Sequence, residues 1–261
     1  FGHHIKLPRL FTISFYLNYL NQTLPAMGLP GLYFMMLALK KDKIPIDKSV
    51  VAGIVYYIFI YFTFVLLFIY VFFRLFIGQQ ITRIEVLATL VSALIVLLIV
   101  FLAIYIFKRK KLFKKVLKWS LWPIHKLITP FAKTQSQKEL EHFFDIDFLT
   151  AELEKNINEL NNAKSKTIWA LIYAFMIHVL DVMALFFLFR AFNLKISFTA
   201  SAIGFALGSI LAHASLVPAG VGVEEVSRGF IFTRFGVPLG VAMLVSLLFR
   251  SLTFYLNIPI G

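Results

Sequence analysis

Two stretches of this chain carry no charge over more than the length of a membrane crossing. Val50 to Phe73 is one and Val86 to Phe107 is the other. A helix needs about 20 residues to cross a hydrocarbon core of about 30 Å, and each stretch exceeds that. Thr167 to Phe189 forms a third such run, interrupted only by His178 and Asp181. Phe235 to Phe249, continued past Arg250 to about Leu256, forms a fourth. Backbone polar groups cannot stay unpaired in lipid, so these runs are predicted to be helices. The composition agrees: 60% of the 261 residues are hydrophobic and 30 are Phe, more apolar side chain than a water-soluble domain needs.

Two further uncharged stretches are punctuated. Leu10 to Leu39 contains Pro25, Gly28, Pro30 and Gly31, and Ile196 to Val223 ends in Pro218, Gly220 and Gly222. Proline removes a helix hydrogen bond and glycine weakens the helix, so each is predicted to be a broken helix of the re-entrant type. Laid on one another without gaps, Leu24 to Gly31 (LPAMGLPG) falls on Val217 to Glu224 (VPAGVGVE). Pro25 meets Pro218, and further on Pro45 meets Pro238. This pattern predicts an all-α, polytopic transmembrane bundle with an internal repeat: broken helix, connection, proline, spanning helix.

Charge orients the repeat. The stretch from Lys108 to Lys166 holds half of the 26 basic residues, which predicts a cytoplasmic loop. Two crossings back, Lys40, Lys41, Lys43 and Lys48 fall on the same side. If each broken element returns on its own side, three crossings separate the two, and the repeats are inverted. The expected organisation is a first membrane repeat over 1–107, a linker over 108–166 and a second repeat over 167–261. The start at Phe1 without Met and the stop at Gly261 after an apolar run predict a chain trimmed at both ends. The linker reads as an amphipathic basic helix followed by Trp119 and Trp122, then a more acidic helical stretch. The net charge of +13 fits a surface facing anionic lipid. Nucleic acid is not the expected partner, because the basic residues lie between apolar runs. There is no Cys, which excludes disulfides and thiolate chemistry.

The segment Val217 to Gly229 (VPAGVGVEEVSRG) is the richest in candidate site residues. A helix restarting there offers free N–H groups and a positive dipole end, and Glu224 and Glu225 fall in its first turn. That arrangement fits a helix cap. It also fits a site, since a glycine-rich break at membrane depth is tolerated where it is buried or lines a wet cavity. Arg250 lies in an apolar span and needs a partner, with Glu225 or Asp181 the candidates, or else it snorkels to the interface. His178 and Asp181, three residues apart, share a helix face; a buried polar pair is expected there rather than a metal site with His213. Asn21, with Asn18 and Gln22, precedes the first break, positioned to meet a headgroup or to satisfy freed backbone groups. Arg228 and Arg234 read mainly as surface residues of the restarted helix. No nucleophile elbow, Walker loop, dinucleotide turn or zinc spacing is present, so neither a metal nor a cofactor is expected.

The residues Pro218, Gly220, Gly222, Glu225, Gly236, Pro238, Arg250 and Tyr255, with Asn21 and Pro25 earlier, resemble the lysylphosphatidylglycerol synthase/flippase transmembrane family. The family pattern is Pro-Gly-Gly-x-Gly-x-x-Glu, a Gly-Val-Pro connection, then a span with Arg and a following Tyr. This sequence departs from it at Ala219, Glu224, Leu29 and Pro30, which bears on substrate more than on fold. The resemblance implies a multi-pass cell-membrane protein that binds a membrane phospholipid and moves a lipid or lipid-linked headgroup, such as an aminoacylated one, between leaflets. In that reading Glu225 engages a cationic group or holds Arg250, and Arg250 engages phosphate. The runner-up is the membrane part of a phosphatidylglycerol lysyltransferase-type enzyme, whose soluble domain would be a partner outside this chain. A non-transporting membrane scaffold is the third reading, and self-association is compatible with all three.

Overall fold

The computed structural model describes residues 5–23, 29–77, 164–215 and 220–253, with isolated positions 109, 111, 112, 115 and 217. The predicted span Val86 to Phe107, nearly all of the 108–166 linker, Pro25, Pro218 and Tyr255 lie outside the described residues. Among the described residues the regular elements are all helices: α1 (Leu7–Thr23), α2 (Leu29–Lys41), α3 (Ile46–Ile77), α4 (Lys164–Ala191), α5 (Phe198–Ala214), α6 (Val223–Thr233) and α7 (Leu239–Thr253).

Two of these helices are long and apolar enough to cross a membrane: Ala52–Leu75 within α3 and Lys164–Ala191, which is α4. Only 22% of each apolar window is buried inside the bundle. Tyr61, Phe62, Leu66 and Phe73 on α3, and Leu180 and Phe187 on α4, are exposed. Apolar side chains facing outward over the length of a helix fit lipid as the surrounding solvent. Trp169 and Tyr173 pack together two turns from the Lys164 end of α4, where interfacial aromatic rings are favoured. The predicted fourth span is represented by α7, which covers 15 residues as far as Thr253.

The core lies where α3, α4, α5, α6 and α7 meet, around Phe68, Leu185, Phe189, Phe232, Val245 and Phe249. Phe189 and Phe232 meet edge to face with ring centroids 4.4 Å apart. Helix α5 contributes mainly small residues, among them Ala200, Ala202, Ala206 and Ala212. Small side chains let helix backbones approach closely, which is how helices associate when no water drives them together. Gly208 is the critical case. A Cβ there would lie 2.5 Å from Cγ of Arg228, so α6 could not bring that arginine against α5 with any larger residue.

The chain changes direction sharply between α5 and α6. The Ser215 hydroxyl donates to the Ala212 carbonyl (2.7 Å) and accepts from the Val217 N–H (3.2 Å). Gly220 has φ 62° and Gly222, the N-cap of α6, has φ 81°. Both lie in the left-handed region that glycine adopts without strain. A side chain on Gly220 would also press on Ala212, with its Cβ 2.6 Å from that of Ala212.

The end of α2 and the end of α6 are built alike. Ile44 N–H reaches the Leu39 carbonyl (3.1 Å), and Val237 N–H reaches the Phe232 carbonyl (3.3 Å). Each cap contains one left-handed residue, Lys43 at φ 62° and Gly236 at φ 80°. Each is followed by a proline that starts the next helix: Pro45 before α3 and Pro238 before α7.

Gly220→Ala therefore combines a left-handed backbone penalty with a steric clash and is expected to cost about 2–4 kcal/mol. Gly236→Ala carries only the backbone penalty, about 1–2 kcal/mol, because nothing lies within 4 Å of its Cβ position. Thermal unfolding in detergent should rank the two in that order.

Candidate functional site

The restart of α6 gathers four charged side chains away from solvent and lipid. Glu224 and Glu225 occupy its first turn, where the dipole favours negative charge. Arg228 follows one turn later, and Arg250 arrives from the last turn of α7. Exposure is 8% for Glu224, 3% for Glu225, 0% for Arg228 and 6% for Arg250. Charges this deep survive only when paired and hydrogen-bonded.

Glu224 is the hub. One carboxylate oxygen, Oε1, accepts from Nη2 of Arg228, and the other, Oε2, accepts from Nη1 of Arg250. Ser209 of α5 also donates its hydroxyl to Oε1 (3.2 Å) and accepts from Arg228 Nη2 (3.3 Å). Arg250 Nε donates to Glu225 Oε1 at 3.1 Å. Two guanidiniums, Arg228 of α6 and Arg250 of α7, are thus matched by two carboxylates of α6, with a hydroxyl from α5. The guanidinium carbon of Arg228 sits 4.6 Å from the Phe249 ring centroid and 5.4 Å from that of Phe205. These aromatic contacts stabilise the cation, while its Nε and Nη1 are buried without a hydrogen-bond partner among the described residues.

A second polar feature joins α3 to α4. His178 Nε2 lies 3.0 Å from the Ile60 carbonyl, which can only accept, so Nε2 carries a hydrogen. The His178 ring is packed by Phe64 (5.5 Å) and Phe205 (6.4 Å), and its Nδ1 is buried without a hydrogen-bond partner among the described residues. Phe205 therefore touches both His178 and Arg228. Asp181 flanks the buried stripe of α4 formed by Ala174, His178, Val182, Leu185 and Phe189. It is partly buried and within electrostatic reach of Arg228 and Glu224.

A third feature joins α1, α2 and α3. Asn21 Oδ1 accepts from the Gly31 N–H (2.9 Å), and its Nδ2 donates to the Tyr57 hydroxyl (2.6 Å). Asn21 thus satisfies a freed N–H in the first turn of α2 and ties it to α3.

A family model for the lysylphosphatidylglycerol synthase TM region matches residues 1–261. The chain belongs to this family. A UPF0104 membrane protein of Methanothermobacter thermautotrophicus (strain Delta H) is 32% identical over 83 residues. That match covers 32% of this chain and 25% of the relative, so the chain spans about a quarter of that relative's length. No solved structure matches the chain. As a member of this family, the chain is a membrane protein.

Of the candidate residues, Glu224, Glu225 and Arg250 come together directly, and Gly220 and Gly222 form the turn that delivers the two glutamates. Arg250 takes Glu225 and Glu224 as its partners, while Asp181 approaches Arg228 and Glu224. His178 borders the cluster through Phe205, and Asn21 belongs to the separate feature joining α1, α2 and α3. His213 is exposed, with Nδ1 2.6 Å from the Ser209 carbonyl of its own helix. Arg234 is exposed at the C-cap of α6. Arg228 is the residue that sequence reasoning underrated. Its signal was its spacing, four residues after Glu224, which puts both on one helix face. Ser209 and Tyr57 carried no comparable signal.

Arg250→Ala would strip two buried carboxylates of a common partner and is expected to destabilise by about 3–5 kcal/mol. Arg9→Ala removes the pair Arg9–Asp42 (3.0 Å), whose side chains are 37% and 29% exposed, and should cost about 0–1 kcal/mol. Detergent melting curves that fail to separate the two variants would contradict the buried-cluster assignment.

Proposed function

We propose that this chain is a multi-pass bundle of the cell membrane that moves a phospholipid with a charged headgroup between leaflets, using the ion cluster at the start of α6 as its headgroup site. The carrying observation is that two carboxylates and two guanidiniums neutralise one another at the start of a helix, deep in an apolar bundle. A headgroup bearing both an amine and a phosphate presents the same two charges. Its ammonium can replace a guanidinium on Glu225 or Glu224, and its phosphate can replace a carboxylate on Arg250. Each exchange swaps one ion pair for another, so no bare charge is left in the low-dielectric interior.

Depth supports this reading. His178 falls at the centre of the 28-residue α4, and Ile60 lies close to the centre of the 32-residue α3. At 1.5 Å per residue, a helix of α4's length is roughly 42 Å long, so its midpoint sits near mid-membrane. Arg228 joins that level through Phe205. Ionisable groups at this depth mark ion and substrate pathways in membrane proteins.

Repetition supports it as well. The starts of α1 and α5 are 191 positions apart, those of α2 and α6 194, and those of α3 and α7 193. In each half the first helix packs on the second, and the second on the third. At a spacing of 193, Tyr57 corresponds to Arg250 and Gly31 to Glu224. Tyr57 reaches Gly31 through Asn21, whereas Arg250 binds Glu224 directly. With the repeats 1–107 and 167–261 inverted, the breaks after α1 and α5 would approach each other from opposite sides. One repeat rocking on the other would then give alternating access.

The family description names a synthase, which favours one second reading: the membrane part of a lysyltransferase-type enzyme. Product formation by the isolated chain, given phosphatidylglycerol and an aminoacyl donor, would establish it.

The test is translocation of fluorescent phosphatidylglycerol and its lysyl ester in proteoliposomes. Glu225→Gln and Arg250→Ala should each slow the preferred lipid at least about tenfold, equivalent to ~1.4 kcal/mol of lost headgroup contact. Unchanged rates in both variants would remove the cluster from the mechanism.

A further inference from the structure

With Asp181 counted beside the ion cluster, the described residues there include more acid than base. Glu224 binds both guanidiniums and Glu225 binds Arg250, so two glutamates balance two arginines. Asp181 is a third carboxylate. It flanks the inward stripe of α4, within electrostatic reach of Arg228 and Glu224, and hydrogen-bonds to no described residue. With every group ionised, the described residues of the site carry three negative charges against two positive ones. An unbalanced charge at this depth is costly, and one bound proton removes it. One helical turn away, His178 presents a buried Nδ1 with no partner among the described residues. Its Nε2–H is already directed at the Ile60 carbonyl, so in the neutral ring Nδ1 is a free lone pair able to accept a proton.

The neighbouring helices supply the other groups that act on this pair. Helix α6 brings Glu224, Glu225 and Arg228, and α7 brings Arg250. Helix α5 brings Ser209 near the cluster and His213 toward its exposed end. Helix α3 brings the Ile60 carbonyl and, one turn earlier, the Tyr57 hydroxyl. None of these adds a further cation to balance Asp181.

We propose that Asp181 and His178 hold one exchangeable proton beside the ion cluster, and that this proton is the counter-cargo for a cationic lipid headgroup. The exchange rests on the transport reading above; the bound proton does not. Without a headgroup, Asp181 carries the proton as a neutral carboxylic acid. A headgroup with one more ammonium than phosphate, such as the lysyl ester, adds one net positive charge when it binds, and Asp181 gives up its proton through the His178 Nδ1 lone pair to the opposite side. The charge of the site is the same before and after, and one proton crosses in the opposite direction for each headgroup of net charge +1.

Two measurements test this on the whole reconstituted chain. The first is infrared difference spectroscopy between acidic and alkaline buffer. A carboxylic-acid C=O band should titrate in the unmodified protein, vanish in Asp181→Asn and return displaced in Asp181→Glu. The absence of a titrating band, or one that persists in Asp181→Asn, overturns the proton site. The second is lipid flux in proteoliposomes under opposed pH gradients. Flux of the lysyl ester should differ several-fold between the two gradient directions, while flux of phosphatidylglycerol should not. Equal lysyl-ester flux under both gradients overturns the exchange and leaves lipid transport standing. No flux of any lipid overturns transport and the exchange together, and the infrared band still decides whether a proton is held.

Discussion

Burying two guanidiniums and two carboxylates in an apolar bundle is the constraint around which the second half of this protein is arranged. Each of these charges would be prohibitive alone at this depth. Their mutual pairing requires three helices to arrive in register. Helix α6 must restart where Glu224 and Glu225 fall in its first turn, which the left-handed glycines Gly220 and Gly222 permit. Helix α5 must come close enough for Ser209 to reach Glu224, and Gly208 leaves the space that the Arg228 stem occupies. Helix α7 must deliver Arg250 at its last turn. A shift in any of the three leaves a charge without its partner.

The two halves solve a similar geometric problem with different chemistry. At the start of α2, an amide and a phenol satisfy the backbone: Asn21 spans from the Gly31 N–H to the Tyr57 hydroxyl. At the start of α6, a carboxylate and a guanidinium, Glu224 and Arg250, pair directly. A neutral network of this kind is locked by satisfied hydrogen bonds and has little reason to rearrange. An ionic network can exchange partners with an incoming ion of like charge at small net cost. On the transport reading proposed above, the exchangeable contacts are those of the ionic network, and the neutral network is scaffolding.

His178 and Phe205 connect these features. The histidine ties α4 to the Ile60 carbonyl of α3, one turn from Tyr57, and Phe205 lies between its ring and Arg228. A change in how the arginines are paired would therefore be felt by packed aromatic rings at the centre of the bundle. Close packing of that kind transmits displacement.

The sequence by itself determined the membrane class, the helical fold, the family, and the position of the second glycine-rich turn with its two glutamates. Those properties are local. Long uncharged runs, proline and glycine placement, and charge bias act over a few turns of chain and need no knowledge of distant partners. Arg250 was legible as a residue that needed a counter-ion, because a charge inside an apolar run states its own requirement. Its choice of Glu224 along with Glu225 was not, since that depends on how α7 crosses α6. Arg228 looked like a surface residue on a short helix and became the most deeply buried charge, because α5 and the rings of Phe205 and Phe249 close over it. The pairing of Asn21 with Tyr57, and of His178 with Ile60, likewise joins residues far apart in sequence. Hydrophobic patterning fixes which segments enter the membrane. Only the packing of helices against one another decides which polar groups meet there, because each buried charge takes the partner the bundle places within reach.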